Sequence, residues 1–489
     1  CYKEGLLEDP ETWPIENRVL ELDHIYAFCD KEEDLLLYPL PEDTLKAFSP
    51  TIGFGDYESI EFNGQVLLEN TSNNLGEVRI NHPYTVKARR GKTEESYQLY
   101  FTRLPLIHMH TAASIADEPK VLSWLELVSF GANGAYGEIH MHEGYAGIEI
   151  RGRTSAAHEK KSYGLELWKN ASGTDRSASL LGMREGEDWI LDAMYVDPLR
   201  MRNKISFEIW EKLWAAKQEL PFLTTNPGIE AKHVELFINQ RYMGLYCLTE
   251  RLDESLINLD DAAPEAGAVL YKAIDWNGGA TAFSTYNSEP GTSMLWEGWE
   301  QIYPEQVHFW DPLAELRKSV VFDSDPVFED RIDTLLNLDV AADYYLFTNL
   351  MLAHDNIVKN YFLARYAGES RFLLLPWDLE GSWGIMWDGD PSSSNGLLKN
   401  RLYDRLKELD VGGFNDMLEE GWQDYRASVF SEDSLVAPVV RTVDLLLASG
   451  AIDRENMRWP GVHLSLDQEL EYFMQWTTLR LEYLDHVFD

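Results

Sequence analysis

Two apolar runs, NYFLARY (360–366) and RFLLLPW (371–377), are joined by the short polar loop 367–370, which contains Gly368. Runs so rich in Leu, Phe and Tyr must be buried, and as neighbours with a short polar link they pair as an antiparallel hairpin. In such a hairpin the start of the first strand lies beside the end of the second. Asn360 and Asp378 are therefore expected to meet, although they are far apart in the chain. Asp355 stands in the loop that feeds the first strand. The pattern predicts three oxygen-bearing side chains converging at one edge of a buried support. Oxygen-only ligands suit a hard cation such as Mg²⁺, which keeps waters and accepts phosphate oxygens as further ligands.

An Asp, an Asn five residues on and a second Asp beyond a hairpin form the layout of a protein-kinase catalytic core. There the first Asp orients or deprotonates the acceptor hydroxyl, and the Asn and second Asp hold metal. One residue departs from this layout: Lys359 stands directly before Asn360 rather than two positions after Asp355. The competing reading makes Asp355 and Asn360 turn or capping residues and Asp378 a strand end.

A nucleotide needs positive charge, and this chain has little to spare. Its net charge is −41, with 83 acidic against 42 basic residues. Such a surface repels nucleic acid and anionic lipid and attracts basic partners; it also fits an acidic solubility adaptation. The richest local supply of cations is RGRTSAAHEKKSYGLELWK (151–169), with Arg151, Arg153, Lys160, Lys161 and Lys169. Its small polar loop allows close backbone approach to phosphates, and a lysine opening the next strand is expected to reach them. A second basic cluster, Arg200, Arg202 and Lys204, falls where a helix is expected to start. Cations there oppose the helix dipole unless an anion is near, which for Arg202 means either a phosphate or a pairing with Asp192 or Asp197.

Along the chain, 50–110 alternates in the strand period and reads as a small β-sandwich ending near Leu106. Its tryptophan-poor strands suggest no carbohydrate platform. More strands follow over 134–169. DPLRMRNKISFEIWEKLWAAK (197–217) predicts a helix capped by Asp197, with Met201, Ile205, Ile209 and Leu213 on one face. HVELFINQRYMGLYCLTE (233–250) predicts a hairpin turning within 239–244. From about Asp311 the pattern is helical, with DVAADYYLFTNLMLA (339–353) a buried helix. No apolar run is long enough to cross a bilayer. Three cysteines, Cys1, Cys29 and Cys247, form no CxxC pair and no disulfide framework. Cys1 at the head of a polar stretch is expected to be the lipid-bearing residue of a processed lipoprotein, tethered outside the cytoplasm; an arbitrary boundary is the alternative.

Six motifs in order, IRGRTSAAHEKKSYGLEL, DWILDAMYVDPLRMRNKISFEI, VELFINQRYMGLYCLTERLDE, GAVLYK, HDNIVKNYFL and LLPWDLEGSWG, resemble the CotH kinase family of spore-coat-protein-H-like atypical kinases. The resemblance spans roughly 106–459. It implies an α+β fold with a distantly protein-kinase-like core. The divisions expected with it are a lead or linker (1–49), an Ig-like β-sandwich module (50–106), a β-rich N-lobe-like region (107–310) and a helical C-lobe-like region holding the hairpin (311–489). It also implies a secreted or surface-attached bacterial kinase that uses ATP with Mg²⁺ or Mn²⁺ to phosphorylate serines, with a basic, Ser-rich protein the expected substrate. Carried over by motif, Asp355 matches the catalytic aspartate, and Asn360 and Asp378 match the metal ligands. Lys161 or Lys160 matches the ATP-contacting lysine. Arg202 falls in the RN helix motif, and Glu250 in the strand that would border the adenine pocket. Glu380 replaces the second acid of the family's DLD pattern; the longer carboxylate reaches further, which bears on how many metal ions are held. Two other functions share these residues: a catalytically silent surface lipoprotein that binds a partner through its β module, and a metal-dependent phosphohydrolase.

Overall fold

The computed structural model describes residues 18–41, 44–130, 139–152, 155–215, 227–259 and 267–488. Cys1 and Arg153 lie outside the described residues, so the structure does not bear on the lipid anchor or on that arginine. The fold mixes α and β, as expected of an α+β chain. It divides into two units, Cys1–Tyr195 with Ala231–Glu250 and Thr442–Leu464, and Val196–Glu230 with Arg251–Arg441 and Ser465–Asp489.

In the first unit, strands β1 (Phe28–Asp30), β2 (Leu35–Pro39), β3 (Ser59–Phe62), β4 (Gln65–Val66), β5 (Tyr84–Arg90) and β6 (Thr93–Thr102) form a sheet of order β1-β2-β6-β5-β3-β4. Strand structure thus begins well inside the stretch expected as a lead, with short strands already at Glu21–Leu22 and Ile25–Tyr26. The reason is visible in LLLYP (35–39): all five residues are buried, and β2 runs parallel to β6 as an inner strand. The β region expected to begin at residue 50 is built on them, and Leu36, Leu37, Val86, Leu99 and Phe101 fill one core.

Strands β7 (Leu106–His110), β8 (Val121–Phe130), β9 (Ile139–Arg151), β10 (Ser162–Leu167), β11 (Asp188–Asp192), β12 (Ala231–Ile238) and β13 (Arg241–Glu250) close into a barrel, sealed by the parallel pairing of β7 with β12. Of the strands expected over 134–169, Ile139 to Arg151 form the single long strand β9. The β12–β13 hairpin turns at Asn239 and Gln240, both at positive φ (50° and 62°), the geometry of a tight primed turn. Helix Ala451–Arg458 belongs to this unit although it lies far along the chain.

In the second unit, helix Leu338–Met351 is buried on nearly every side, which its aromatic and aliphatic composition requires. Asn337 caps it by accepting the N–H of Val340 at 3.0 Å. The hairpin is not isolated. Its strands β17 (Tyr361–Arg365) and β18 (Leu373–Pro376) extend a sheet with β14 (Val269–Ala273), β15 (Leu295–Trp296) and β16 (Trp299–Tyr303), in the order β15-β16-β14-β17-β18. The helix expected from Pro198 starts instead at Arg202 and is described as Arg202–Ala215. Arg200, at φ 59°, interrupts it, and the Asp197 carboxylate caps the delayed start by accepting the N–H groups of Leu199 (2.9 Å), Met201 (2.7 Å) and Arg202 (2.7 Å). The predicted face holds, with Met201, Ile205, Ile209 and Leu213 all buried. No single helix among the described residues is long and apolar enough to cross a membrane.

Candidate functional site

The register of the β17–β18 hairpin sets the site. Tyr361 pairs with Pro376 and Phe362 with Leu375, so the next pair outward is Asn360 opposite Trp377. The Trp377 N–H donates to the Asn360 carbonyl at 3.1 Å, and the Asn360 N–H donates to Ala273 on β14 at 2.8 Å. Asn360 is thereby fixed from both neighbouring strands. Its side-chain amide donates to the Asp378 carboxylate at 3.2 Å. Both residues adopt left-handed backbone, φ 56° and 55°, a conformation Asn and Asp tolerate better than most. Asp378 is exposed, while strand β18 just before it is wholly buried.

Asp355 opens a single 3₁₀ turn, Asp355–Ile357, after the Leu338–Met351 helix. Its carboxylate pairs with Lys359 at 3.1 Å, and both groups are about a third exposed or less. The lysine displaced from the kinase layout is therefore the cation beside this aspartate. Between them, Asn356 is buried and donates its amide to the carbonyls of Asn360 (2.9 Å) and Trp377 (2.6 Å).

The loop after Asp378 is tied to helix Arg202–Ala215. Asn203 accepts the Leu379 N–H at 3.0 Å, and Ser206 accepts the Trp383 indole N–H at 2.9 Å. Arg202, a candidate phosphate contact from sequence, is fully buried. Its guanidinium pairs with Asp197 and reaches the Trp383 carbonyl at 3.4 Å, with Glu469 at 3.8 Å. The structure thus gives Arg202 the ion-pair alternative, with Asp197 as partner. Glu380 follows Asp378 by two residues and is partly buried. Asn360 and Asp378, in contact at 3.2 Å, offer an amide and a carboxylate oxygen, a donor chemistry that fits a hard divalent cation. Asp355 stands in the turn that leads into the hairpin, five residues before Asn360, while Asp378 follows the second strand.

The remaining candidates lie in the first unit. Lys160 points into the interior: its ammonium is 2.7 Å from Glu455 with both side chains fully buried, and it also donates to the Leu245 carbonyl. It stacks on the Tyr246 ring at 4.5 Å. Lys161 is partly buried, and its ammonium holds the loop carbonyls of Ala156 (2.8 Å) and His158. Arg151 ends β9 opposite Ser162. Glu250, at the end of β13, is buried against Arg184, accepting its backbone N–H at 2.9 Å and its Nε at 3.1 Å.

The same unit holds a convergence of ligand-type side chains that the sequence reading did not single out: His108 and His110 on β7 and Glu126 on β8, all buried. His110 Nε2 lies 2.9 Å from Glu126, and Arg18 donates to that carboxylate at 3.3 Å. The backbone N–H of Gln240 donates to His108 Nε2 at 2.9 Å, so the ring proton resides on Nδ1, which faces Glu126 at 3.8 Å. That tautomer offers Glu126 a donor and leaves Nδ1 no lone pair for a cation. Burial pushes the His108 pKa well below the ordinary imidazole value, with the His110 and Arg18 charges adding to the effect.

Asn203, Asn356 and Glu455 were missed from sequence. A DN dipeptide at 355–356 and the RN pair at 202–203 were visible, but only the fold shows what their amides bind.

Residues 148–484 match the family model described as CotH kinase protein, more than half of the chain. The chain is also similar to the inner spore coat protein H of Bacillus subtilis (strain 168), 26% identical over 244 residues, which cover 48% of this chain and 58% of that protein. It thus spans less than two thirds of that relative's length.

Proposed function

The chain belongs to the CotH kinase protein family, and from that premise we propose that it is a divalent-cation-dependent kinase that transfers the γ-phosphate of ATP to serine hydroxyls of a protein. The observation that carries this reading is the Asn360–Asp378 contact of 3.2 Å at the mouth of a buried hairpin, with Asp355 in the adjoining turn. Asn360 and Asp378 would hold Mg²⁺ or Mn²⁺, with Glu380 as a further oxygen donor. Bound there, the cation supplies positive charge to the phosphate oxygens. Asp355 accepts the proton of the serine hydroxyl as its oxygen bonds to the γ-phosphorus and the bond to the ADP oxygen breaks. Lys359 balances the Asp355 carboxylate. Of the two sequence-adjacent lysines, Lys161 is the candidate phosphate contact, because the Lys160 ammonium is committed to Glu455. Arg151 and Glu250 remain candidate nucleotide contacts of the same reading, Glu250 once its pairing with Arg184 is taken into account. The acidic surface favours a basic, serine-bearing acceptor. The name of the Bacillus relative, a spore coat protein, supports a place outside the cytoplasm or at a surface.

Incubation with γ-labelled ATP, Mg²⁺ and a basic serine-rich peptide tests the reading. Label is expected in the peptide. Asp378→Asn should abolish both Mg²⁺-dependent ATP binding and transfer. Asp355→Asn should still bind ATP while transfer falls about 10²–10⁴-fold, the usual scale for a general base. Label released only as free phosphate would make the protein a phosphohydrolase; nucleotide binding without either product would make it a silent scaffold. Transfer at the parental rate by Asp355→Asn would remove this loop from the chemistry.

A further inference from the structure

Two residues expected to face a cation, Asn360 and Asp378, both depend on backbone in a left-handed conformation, φ 56° and 55°. The direction of each side chain is therefore set by the peptide planes around it. Those planes share one partner. The side-chain amide of Asn356 donates to the carbonyl of Asn360 at 2.9 Å and to the carbonyl of Trp377, the residue before Asp378, at 2.6 Å. Both Nδ2 hydrogens are thereby used, one on each side of the hairpin mouth.

Asn356 is itself held. It is 1% exposed, its N–H donates to Ala353 at 3.1 Å, and its carbonyl accepts the Tyr344 hydroxyl at 2.8 Å from helix Leu338–Met351. Its side-chain Oδ1 is buried with no hydrogen-bond partner among the described residues. Burying an unmet acceptor is costly, and an apolar side chain at this position would avoid that cost. The two bonds the amide donates are what the residue supplies in return. We infer that Asn356 is the positioning residue of the cation site, a bridge that fixes the spacing and aim of Asn360 and Asp378 and ties both to the turn that carries Asp355. The inference rests on the reading of Asn360 and Asp378 as cation ligands.

The test is calorimetric titration of ATP into the full chain at varied Mg²⁺ and again in EDTA, for the parent, Asn356→Ala and Asn356→Ser. Serine keeps one donor. The expected result is a Mg²⁺ half-saturation raised at least tenfold in Asn356→Ala and by less in Asn356→Ser, with ATP binding in EDTA unchanged in both. An unchanged Mg²⁺ half-saturation in either folded variant overturns the inference. So does equal weakening with and without Mg²⁺, which a merely structural role would give. Variants that fail to fold by circular dichroism also overturn it, because the amide would then serve the whole core rather than the two ligands. A parent with no Mg²⁺-dependent ATP binding brings down the cation-site reading first, and this inference with it.

Discussion

Replacing Lys160 by Met should destabilise the first unit severely, for reasons its surroundings make quantitative. The ammonium lies 2.7 Å from Glu455 Oε1, and neither side chain is exposed (0% each). It also donates to Leu245 and stands 4.5 Å from the Tyr246 ring centre. Met fills a similar volume, so the change removes charge rather than packing. What remains is a buried carboxylate with the Leu245 N–H at 2.9 Å as support. Removing one partner of a buried pair costs about 3–5 kcal/mol. For a unit of this size each kcal/mol lowers the melting temperature by roughly 2–4 °C, so a drop of about 6–20 °C is expected. The double variant Lys160→Met/Glu455→Leu removes both charges and should recover most of that loss, since a buried pair is often replaceable by apolar groups. Lys161→Met, which removes bonds to two neutral carbonyls at a partly exposed site, should cost about 1 kcal/mol. Melting followed by circular dichroism, with Lys160→Met, Glu455→Leu and their double variant forming a double-mutant cycle, measures the coupling. A Lys160→Met melting temperature within about 2 °C of the parent, the lower edge of what 1 kcal/mol produces, would refute the argument. So would a double variant whose loss equals the sum of the two single losses.

Two further outcomes follow from buried charges elsewhere. The folded-state pKa of His108 is depressed, chiefly by burial, with His110 and Arg18 adding to it and Glu126 facing the ring. The unfolded chain therefore binds more protons below its ordinary imidazole value of about 6.5, so stability is level above that pH and falls as pH drops beneath it. His108→Gln should flatten the decline between about pH 6.5 and 5 in urea titrations; an unchanged slope would remove His108 as its source. Asp197→Ala takes the nearer carboxylate from the buried Arg202 guanidinium and deprives three N–H groups at the start of its helix of their acceptor. It should cost on the order of 3–5 kcal/mol in chemical denaturation, and a loss below about 1 kcal/mol, the scale of a lone hydrogen bond, would contradict the capping role.

The sequence by itself determined the elements whose pattern is local. Leu338–Met351 was legible because apolar residues cover every face of the helix, and β17 and β18 because two apolar runs with a short polar link have few alternatives. The meeting of Asn360 with Asp378 followed from antiparallel pairing alone, and the structure places them 3.2 Å apart. Local signals misled where a backbone conformation or a distant neighbour intervened. Pro198 suits a helix start, but Arg200 at φ 59° defers that start to Arg202. LLLYP (35–39) sat inside what read as a lead because its partner, β6, lies some sixty residues on.

Only the tertiary structure decided what the charged and polar residues do. Lys160 and Lys161 are adjacent and chemically identical, yet just before strand β10 one is buried against Glu455 and the other holds the loop carbonyls of Ala156 and His158. The partner of Lys160 is 295 residues away, on a helix that no window around either residue could connect to it. Arg202, Asn203 and Asn356 carry side chains common in turns and surfaces; the fold turned the first into a buried ion pair and gave the amides distant backbone partners. The physical reason is one of range. Hydrophobic periodicity and turn chemistry act within a few residues and can be read in order, whereas a buried charge must be met by whatever partner the completed fold brings within about 3 Å, the range of a charge-assisted hydrogen bond.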